Sequence, residues 1–191
     1  AAFAQVLVRV AQEGLASDKL EVASRLVEAI QASSKNNAPD MVLAVKTIEI
    51  RLAAARKEWK KIVERLPALV AEVPDVQLYS ALQFAFYTAR VAKRYDLVDA
   101  MSSAVVMDER AAKLERTFGL CANEWIGVLF DGEPRDTASF PARLAKLLQV
   151  KLDPRRIYSI YSRRFYEILD DKALIHECMP LVDALVPLLP D

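Results

Sequence analysis

Apolar residues recur three and four positions apart along nearly the whole chain. One stripe runs through Leu20, Ala23, Leu26, Val27 and Ile30, and a second runs through Met41, Val42, Val45, Ile48 and Leu52. This spacing is the period of an α-helix, and no long stretch alternates with the period of two that a strand would show. The pattern predicts an all-α chain of about ten helices. Breaks are predicted at Arg56–Lys57, Val73–Asp75, Lys93–Arg94 and Met107–Asp108.

The composition agrees with helices joined by short links. The 191 residues include only four glycines, and 53% of the residues are hydrophobic. Proteins built from many sheet turns use more glycine, and a disordered chain contains less apolar material. No shift in composition divides the chain, so residues 1–191 are expected to form a single helical-repeat domain.

The charges balance, with 26 lysines and arginines against 26 aspartates and glutamates. A protein that mainly grips phosphate backbones needs a basic excess, so nucleic acid is a disfavoured partner. No apolar run is long enough to span a bilayer. Cys121 and Cys178 lie far apart and form no disulfide framework, which suits a reducing cytoplasm. Cytoplasmic localisation is expected; export is the alternative if a signal peptide preceded Ala1.

A repeat emerges when the second helix of each predicted pair is aligned on a small or apolar residue. The aligned residues are Ala23, Ile62, Val98, Leu144 and Cys178, with spacings of 39, 36, 46 and 34. Such a period is typical of stacked helical hairpins, each of which needs its neighbours to cover its apolar faces. The expected hairpins are 1–33, 38–73, 75–107, 108–152 and 153–191.

The repeat resembles degenerate tetratricopeptide repeats. An aromatic residue, Trp59 or Tyr95, stands at the start of the second helix, and Pro74 closes a unit. The resemblance implies a right-handed α-α superhelix of about five stacked hairpins. Ile50 and Phe86 occupy positions where the family has a small residue, so a related helical solenoid or a generic helical bundle is an alternative.

In that family the first helix of each pair lines a concave surface suited to peptides. The family spacing places there Arg51, Gln83, Tyr87 and Arg90, together with Gln5 and Gln12. Asn123 is assigned to this surface in the irregular fourth unit and Arg163 in the fifth. An arginine can hold a carboxylate through two hydrogen bonds, and a tyrosine offers rigid contact area. We therefore expect a non-enzymatic scaffold that binds a peptide or a partner protein. For each residue taken singly, an ordinary solvated helix face is the alternative.

The sequence contains few candidate catalytic or metal-binding residues. His176 is the only histidine, and residues two apart on a helix, such as His176 and Cys178, do not face the same way. A nucleophilic triad would have to use this one imidazole as its base, and four scattered glycines build no phosphate cradle. We expect no catalytic residue, cofactor or metal site. Paired-carboxylate hydrolysis is the remaining enzyme class, because its residues need only meet in space.

The segment 155–166 supports a rival function. Its arginines alternate with aromatic residues, a combination that can neutralise phosphates and stack on bases. An RNA- or DNA-binding helical repeat is therefore the alternative. On one helix, however, the apolar residues Ile157, Tyr158, Tyr161, Phe165 and Ile168 form a stripe suited to core packing.

Three further expectations concern local structure. A long helix is predicted over Glu109–Phe130, where Gly119, Asn123 and Gly127 share a face that lets another helix approach closely. Pro67 and Pro180 fall inside helical patterns and predict a kink or a break. The apolar segment Met179–Asp191 predicts either that its helix is packed inside the fold or that more chain or a second subunit covers it, so self-association is a further alternative.

Overall fold

The computed structural model describes residues 6, 10, 13–14, 19–32, 39–132, 135–150 and 154–188. The α-helices in this part of the chain are α1 (Leu20–Ala32), α2 (Pro39–Ala55), α3 (Trp59–Glu72), α4 (Asp75–Val91), α5 (Tyr95–Val106), α6 (Glu115–Asp131), α7 (Phe140–Gln149), α8 (Pro154–Arg163), α9 (Phe165–Leu169) and α10 (Lys172–Leu185). Short 3-10 helices cover Glu109–Lys113, Thr137–Ser139 and Val186–Leu188. The described residues contain no strand, which confirms the all-α class.

Helices that are two apart in the chain pack on one another. In the first series, α2 packs on α4, α4 on α6 and, less extensively, α6 on α8. In the second series, α3 packs on α5, while α7 packs on α10, which is three helices further on because the two helices α8 and α9 lie between them. Consecutive helices also touch, α5 and α6 most of all. The core therefore lies between the two series and continues from one pair to the next.

The aligned repeat residues form the centre of this core. Ala23, Ile62, Val98, Leu144 and Cys178 are each 2% exposed or less. Apolar residues of α1 and α2 make one buried cluster, and a larger cluster runs from Ile50 to Cys178. The three-and-four spacing of the sequence thus marks most of the buried positions, although Val42, expected in the second stripe, is 40% exposed.

The turn between α2 and α3 is repeated 36 residues later between α4 and α5. Lys57 and Lys93 sit in the left-handed region with φ of 61° and 53°. The paired hydrogen bonds are Lys57 N–H to Ala54 O (3.0 Å) and Glu58 N–H to Ala53 O (2.8 Å), matched by Lys93 N–H to Arg90 O (2.8 Å) and Arg94 N–H to Ala89 O (2.9 Å). Both sets form a Schellman motif, which ends a helix by satisfying its last carbonyls. Trp59 and Tyr95 then occupy the same place, the first residue of the next helix.

The predicted long helix Glu109–Phe130 is wrong at its start. A 3-10 helix covers Glu109–Lys113, and α6 begins only at Glu115. The carboxylate of Asp75 accepts the backbone N–H groups of Arg116 (2.9 Å) and Thr117 (2.8 Å). Because the N–H groups of Arg116 and Thr117 donate to a residue of α4, they cannot donate to carbonyls of the preceding turn. A continuous α-helix from Glu109 is therefore interrupted, and α6 begins as a separate helix.

The sequence predicts a kink or a break at the internal prolines, and the break does not occur. α3 runs through Pro67 and α10 runs through Pro180. A helical proline forgoes one hydrogen bond, but it does not by itself end a helix that packing holds in place. The neighbours Leu66 and Leu69 are buried in the core and supply that packing for α3.

Segment 155–166 is also not one helix. α8 ends at Arg163, and Arg164 lies between α8 and α9 with φ −104° and ψ 4°. None of the helices in the described part of the chain is long and apolar enough to cross a membrane.

Candidate functional site

The predicted partner-binding residues lie on the first helix series. Arg51 is on α2, Gln83, Tyr87 and Arg90 are on α4, and Asn123 is on α6. Arg163 ends α8, but its side chain lies outside the described part of the structure, as do Gln5 and Gln12. Since α2, α4 and α6 pack in series, the five described residues belong to adjacent helices.

One side of α4 carries several exposed uncharged residues. Val76, Gln83, Tyr87 and Val91 follow one another at spacings of seven and four, with half-buried Ser80 between the first two. We call these five residues the α4 face. Val76 is 58% exposed, Tyr87 66% and Val91 69%. None of these five residues is charged, so the α4 face itself offers apolar, hydroxyl and amide groups and no formal charge.

A small pocket adjoins the amino-terminal end of the α4 face. It has a volume of about 190 Å³ and is lined by Thr47, Ile48, Arg51, Val76, Gln77 and Ser80. Arg51 Nη2 donates a hydrogen bond of 2.6 Å to Ser80 Oγ. We call this space the Arg51 pocket.

Arg90, in contrast, is engaged within the chain. Its Nε donates to Glu124 Oε2 and its Nη1 to Asp131 Oδ2, each over 2.6 Å. Asp131 Oδ1 also lies 3.4 Å from Arg164 Nη1. Burial lowers the pKa of Arg90, but the two carboxylates outweigh it and the net direction is upward. The charge of Arg90 therefore joins α4 to α6 and already has two carboxylate partners.

Gly127 makes room for that ion-pair cluster. A Cβ added there would lie 2.8 Å from Arg164 Nη2 and 3.0 Å from Arg90 Nη2. At Gly119 the same atom would lie 3.7 Å from Arg156 Nη1. The small-residue face of α6 was expected to admit a second helix closely; at these two glycines it receives arginine side chains.

Asn123 lies between those glycines and borders a second groove. Its Nδ2 donates to Gly119 O over 3.0 Å. The groove has a volume of about 410 Å³ and is lined by Tyr79, Glu115, Arg116, Gly119, Asn123, Arg156, Ser159 and Ile160. Asn123 is half-buried, so it offers a partner less surface than Tyr87 does.

The basic and aromatic segment is partly committed to internal contacts. Arg156 bonds the main-chain oxygen of Glu115 and its carboxylate (3.1 Å), and Arg164 lies over the ring of Phe130 at 5.5 Å. Ile157 and Ile168 are buried as the predicted stripe requires, and Ile160, which was not part of the stripe, is buried as well. The side chains of Tyr161 and Phe165 lie outside the described part of the structure. Tyr158, expected in that stripe, is 43% exposed, and Tyr166 is 80% exposed.

The thiols show no sign of nucleophilic activation. Cys121 and Cys178 are free and buried. Burial is the main cause that raises the pKa of Cys178 to about 11, helped by the charge of Glu177, and it also raises that of Cys121. A thiol reacts as the thiolate, so both cysteines are poor nucleophiles at neutral pH. His176 is exposed, and the described residues hold no cluster of three metal-ligating side chains.

Sequence reasoning missed the carboxylates that hold the helices of the first series together. Glu124 and Asp131 are seven residues apart on α6, on the face that carries Gly127, and follow Arg90 by about one repeat. Asp75, noted only as a helix boundary, joins the starts of α4 and α6. The signal in the sequence is the spacing of opposite charges by about one repeat, from Arg90 to Glu124 and Asp131.

No protein-family model, no curated protein and no solved structure matches the chain.

Proposed function

We propose that the chain is a non-enzymatic helical-repeat module that binds a peptide or partner protein on the exposed side of its first helices. In this proposal the first series forms the concave side of a right-handed superhelix of the tetratricopeptide type. The observation that carries the proposal is the α4 face, an uncharged helix surface with three exposed apolar side chains. Exposed apolar surface of this kind often marks an interaction site.

Three features support the repeat architecture. Helices two apart pack together, and the same left-handed lysine turn recurs after 36 residues. Arg156 lies against Gly119, and Arg164 lies against Gly127. Gly119 and Gly127 are eight residues apart on α6, and the two arginines that contact them are also eight residues apart and follow in the same order. α6 and the segment from α8 into α9 therefore run in the same direction, as first helices of consecutive hairpins do.

Tyr87 is the natural anchor of the binding surface. It is two-thirds exposed, with Gln83 one turn before it and Val91 one turn after it. Aromatic residues dominate binding energy at interfaces because they bury a large rigid surface at little entropic cost. Arg90 supports the α4–α6 contact in this proposal, since both of its carboxylate partners belong to α6.

The test uses peptides selected from a random displayed library on the wild-type protein. We expect Tyr87→Ala to weaken the binding of the selected peptides by about 10-fold or more, measured by fluorescence anisotropy. Tyr166→Ala is the matched control, because Tyr166 is an exposed tyrosine on α9, which α6 and α8 separate from α4 along the first series. Equal affinity of wild type and Tyr87→Ala would remove the proposal.

Nucleic acid is the second candidate, favoured by the exposure of the aromatic residues Tyr158 and Tyr166 in the basic segment. Its weakness is that Arg156 and Arg164 already pair with Glu115 and Asp131. A salt titration of binding to random single strands separates the two, because phosphate contacts weaken steeply with salt. Binding at low salt that Tyr166→Ala abolishes would favour this candidate; no binding at low salt excludes it.

A further inference from the structure

We infer that the Arg51 pocket is a subsite for the carboxylate side chain of an aspartate or glutamate inside the bound peptide. This inference rests on the proposed function and adds the chemical class of the ligand. It is carried by the charge, the lining and the position of the pocket.

Within the described part of the chain, Arg51 has no carboxylate partner, whereas comparable arginines have one. Every other arginine that the structure describes as half-buried lies beside a carboxylate, namely Arg90, Arg143, Arg156 and Arg164. Arg51 is half-buried as well, but its bonded partner is the neutral hydroxyl of Ser80. Among the side chains that the structure describes, no carboxylate lies within ion-pair distance of it. A partly desolvated cation gains most from a ligand that brings the missing negative charge.

The lining favours a carboxylate carried by an apolar peptide. Ile48 and Val76 provide apolar walls, while Gln77 and Ser80 add polar groups. A nucleic acid backbone would require a succession of cations, yet α4 carries neither lysine nor arginine from Val76 to Ala89. Arg51 is a single cation beside the uncharged α4 face, so its complement is a peptide with one acidic residue beside apolar residues.

The position of the pocket sets the spacing. Ser80 and Tyr87 are seven residues apart on α4, which is about 10 Å along the helix axis. An extended peptide advances about 3.3 Å per residue, so the acidic residue should lie about three residues from an apolar residue that contacts Tyr87. Val76 is exposed on the other side of Ser80, so the peptide can continue past the pocket in both directions.

A double-mutant cycle tests the inference with the selected peptides, synthesised with acetylated and amidated ends so that only side chains carry carboxylates. We expect Arg51→Gln, and separately the replacement of the peptide's acidic residue by its amide, each to weaken binding by about 10-fold. Together they should cost little more than either alone, because both remove one interaction. Arg56→Gln, an exposed position at the carboxyl-terminal end of α2, is the matched control and should have no effect.

The outcomes separate this inference from the proposed function. Peptides that need Tyr87 but lose nothing with Arg51→Gln, or that contain no acidic residue, overturn the subsite and leave the binding face standing. If no peptide is selected, propionate is the probe, compared with propionamide and inorganic phosphate by amide NMR. A saturable shift at Arg51 and Ser80 with propionate, absent with propionamide, supports the subsite. No shift, or a stronger response to phosphate, overturns it.

Discussion

Lys57 and Lys93 occupy a backbone conformation that costs an ordinary residue about 1 kcal/mol and costs glycine almost nothing. Because both turns are otherwise well bonded, we expect Lys57→Gly and Lys93→Gly each to raise the free energy of unfolding by about 0.5–1 kcal/mol. Chemical denaturation measures the change. Lys57→Ala keeps the strain and serves as the control; a glycine variant no more stable than the alanine variant would show that the left-handed turn is absent in solution.

Asp75 stabilises the contact between the starts of α4 and α6. Burial raises the pKa of its carboxyl, but the hydrogen bonds from Arg116 and Thr117 outweigh burial and leave the pKa below its usual 3.8. A lowered folded-state pKa means that the stabilisation is fully present above pH 3.8 and is lost as the pH falls through the folded value. Acidification should therefore remove it.

We expect Asp75→Asn to lower the free energy of unfolding by about 1 kcal/mol at neutral pH. The difference in the free energy of unfolding between wild type and variant should disappear as the pH falls below the usual aspartate pKa. Denaturation curves of the two proteins across the acid range measure it. A gap that stays constant down to the lowest pH would show that the charged carboxylate is not what bonds α6.

At the scale of elements, the two glycines of α6 differ in the space that surrounds them. At Gly119 an added methyl group meets Arg156 Nη1 at ordinary contact distance, whereas at Gly127 it meets two guanidinium groups at 3.0 Å or less. Alanine in a helix interior gains about 1 kcal/mol over glycine. We therefore expect Gly119→Ala to raise the free energy of unfolding by about that amount.

Gly127→Ala should gain clearly less than Gly119→Ala, or lose stability, because Arg90 and Arg164 must move away from Asp131. Thermal or chemical denaturation of the two variants under identical conditions measures the difference. Equal gains at both positions would mean that the ion-pair cluster contributes nothing to stability.

Helix boundaries could be predicted where local chemistry decides them. The expected breaks at Arg56–Lys57 and Lys93–Arg94 are confirmed, since a run of small and charged residues interrupts the apolar period there. The start of α6 could not be predicted, because it depends on Asp75, a residue about one repeat earlier in the chain. Tertiary contacts also explain why Pro67 interrupts nothing.

Across the whole molecule, serial packing explains both the core and the exposed face. Each helix of the first series is covered by its neighbours in that series and by the second series, which leaves one strip of α4 uncovered. The spacing of the family that the sequence resembles places Gln83 and Tyr87 on a first helix, and both side chains are exposed on α4. The engagement of Arg90 could not be predicted, because it depends on how α6 is placed against α4.

The location of the bound peptide is the most direct test of the proposed function. Amide NMR spectra of the wild-type protein, recorded as a selected peptide is added, would report which residues the peptide contacts. We expect the shifted amides to cluster on α4 around Gln83 and Tyr87 and on the facing turns of α2. Shifts confined to α8 and α9 around Tyr158 and Tyr166, with α4 unchanged, would contradict the proposed binding face.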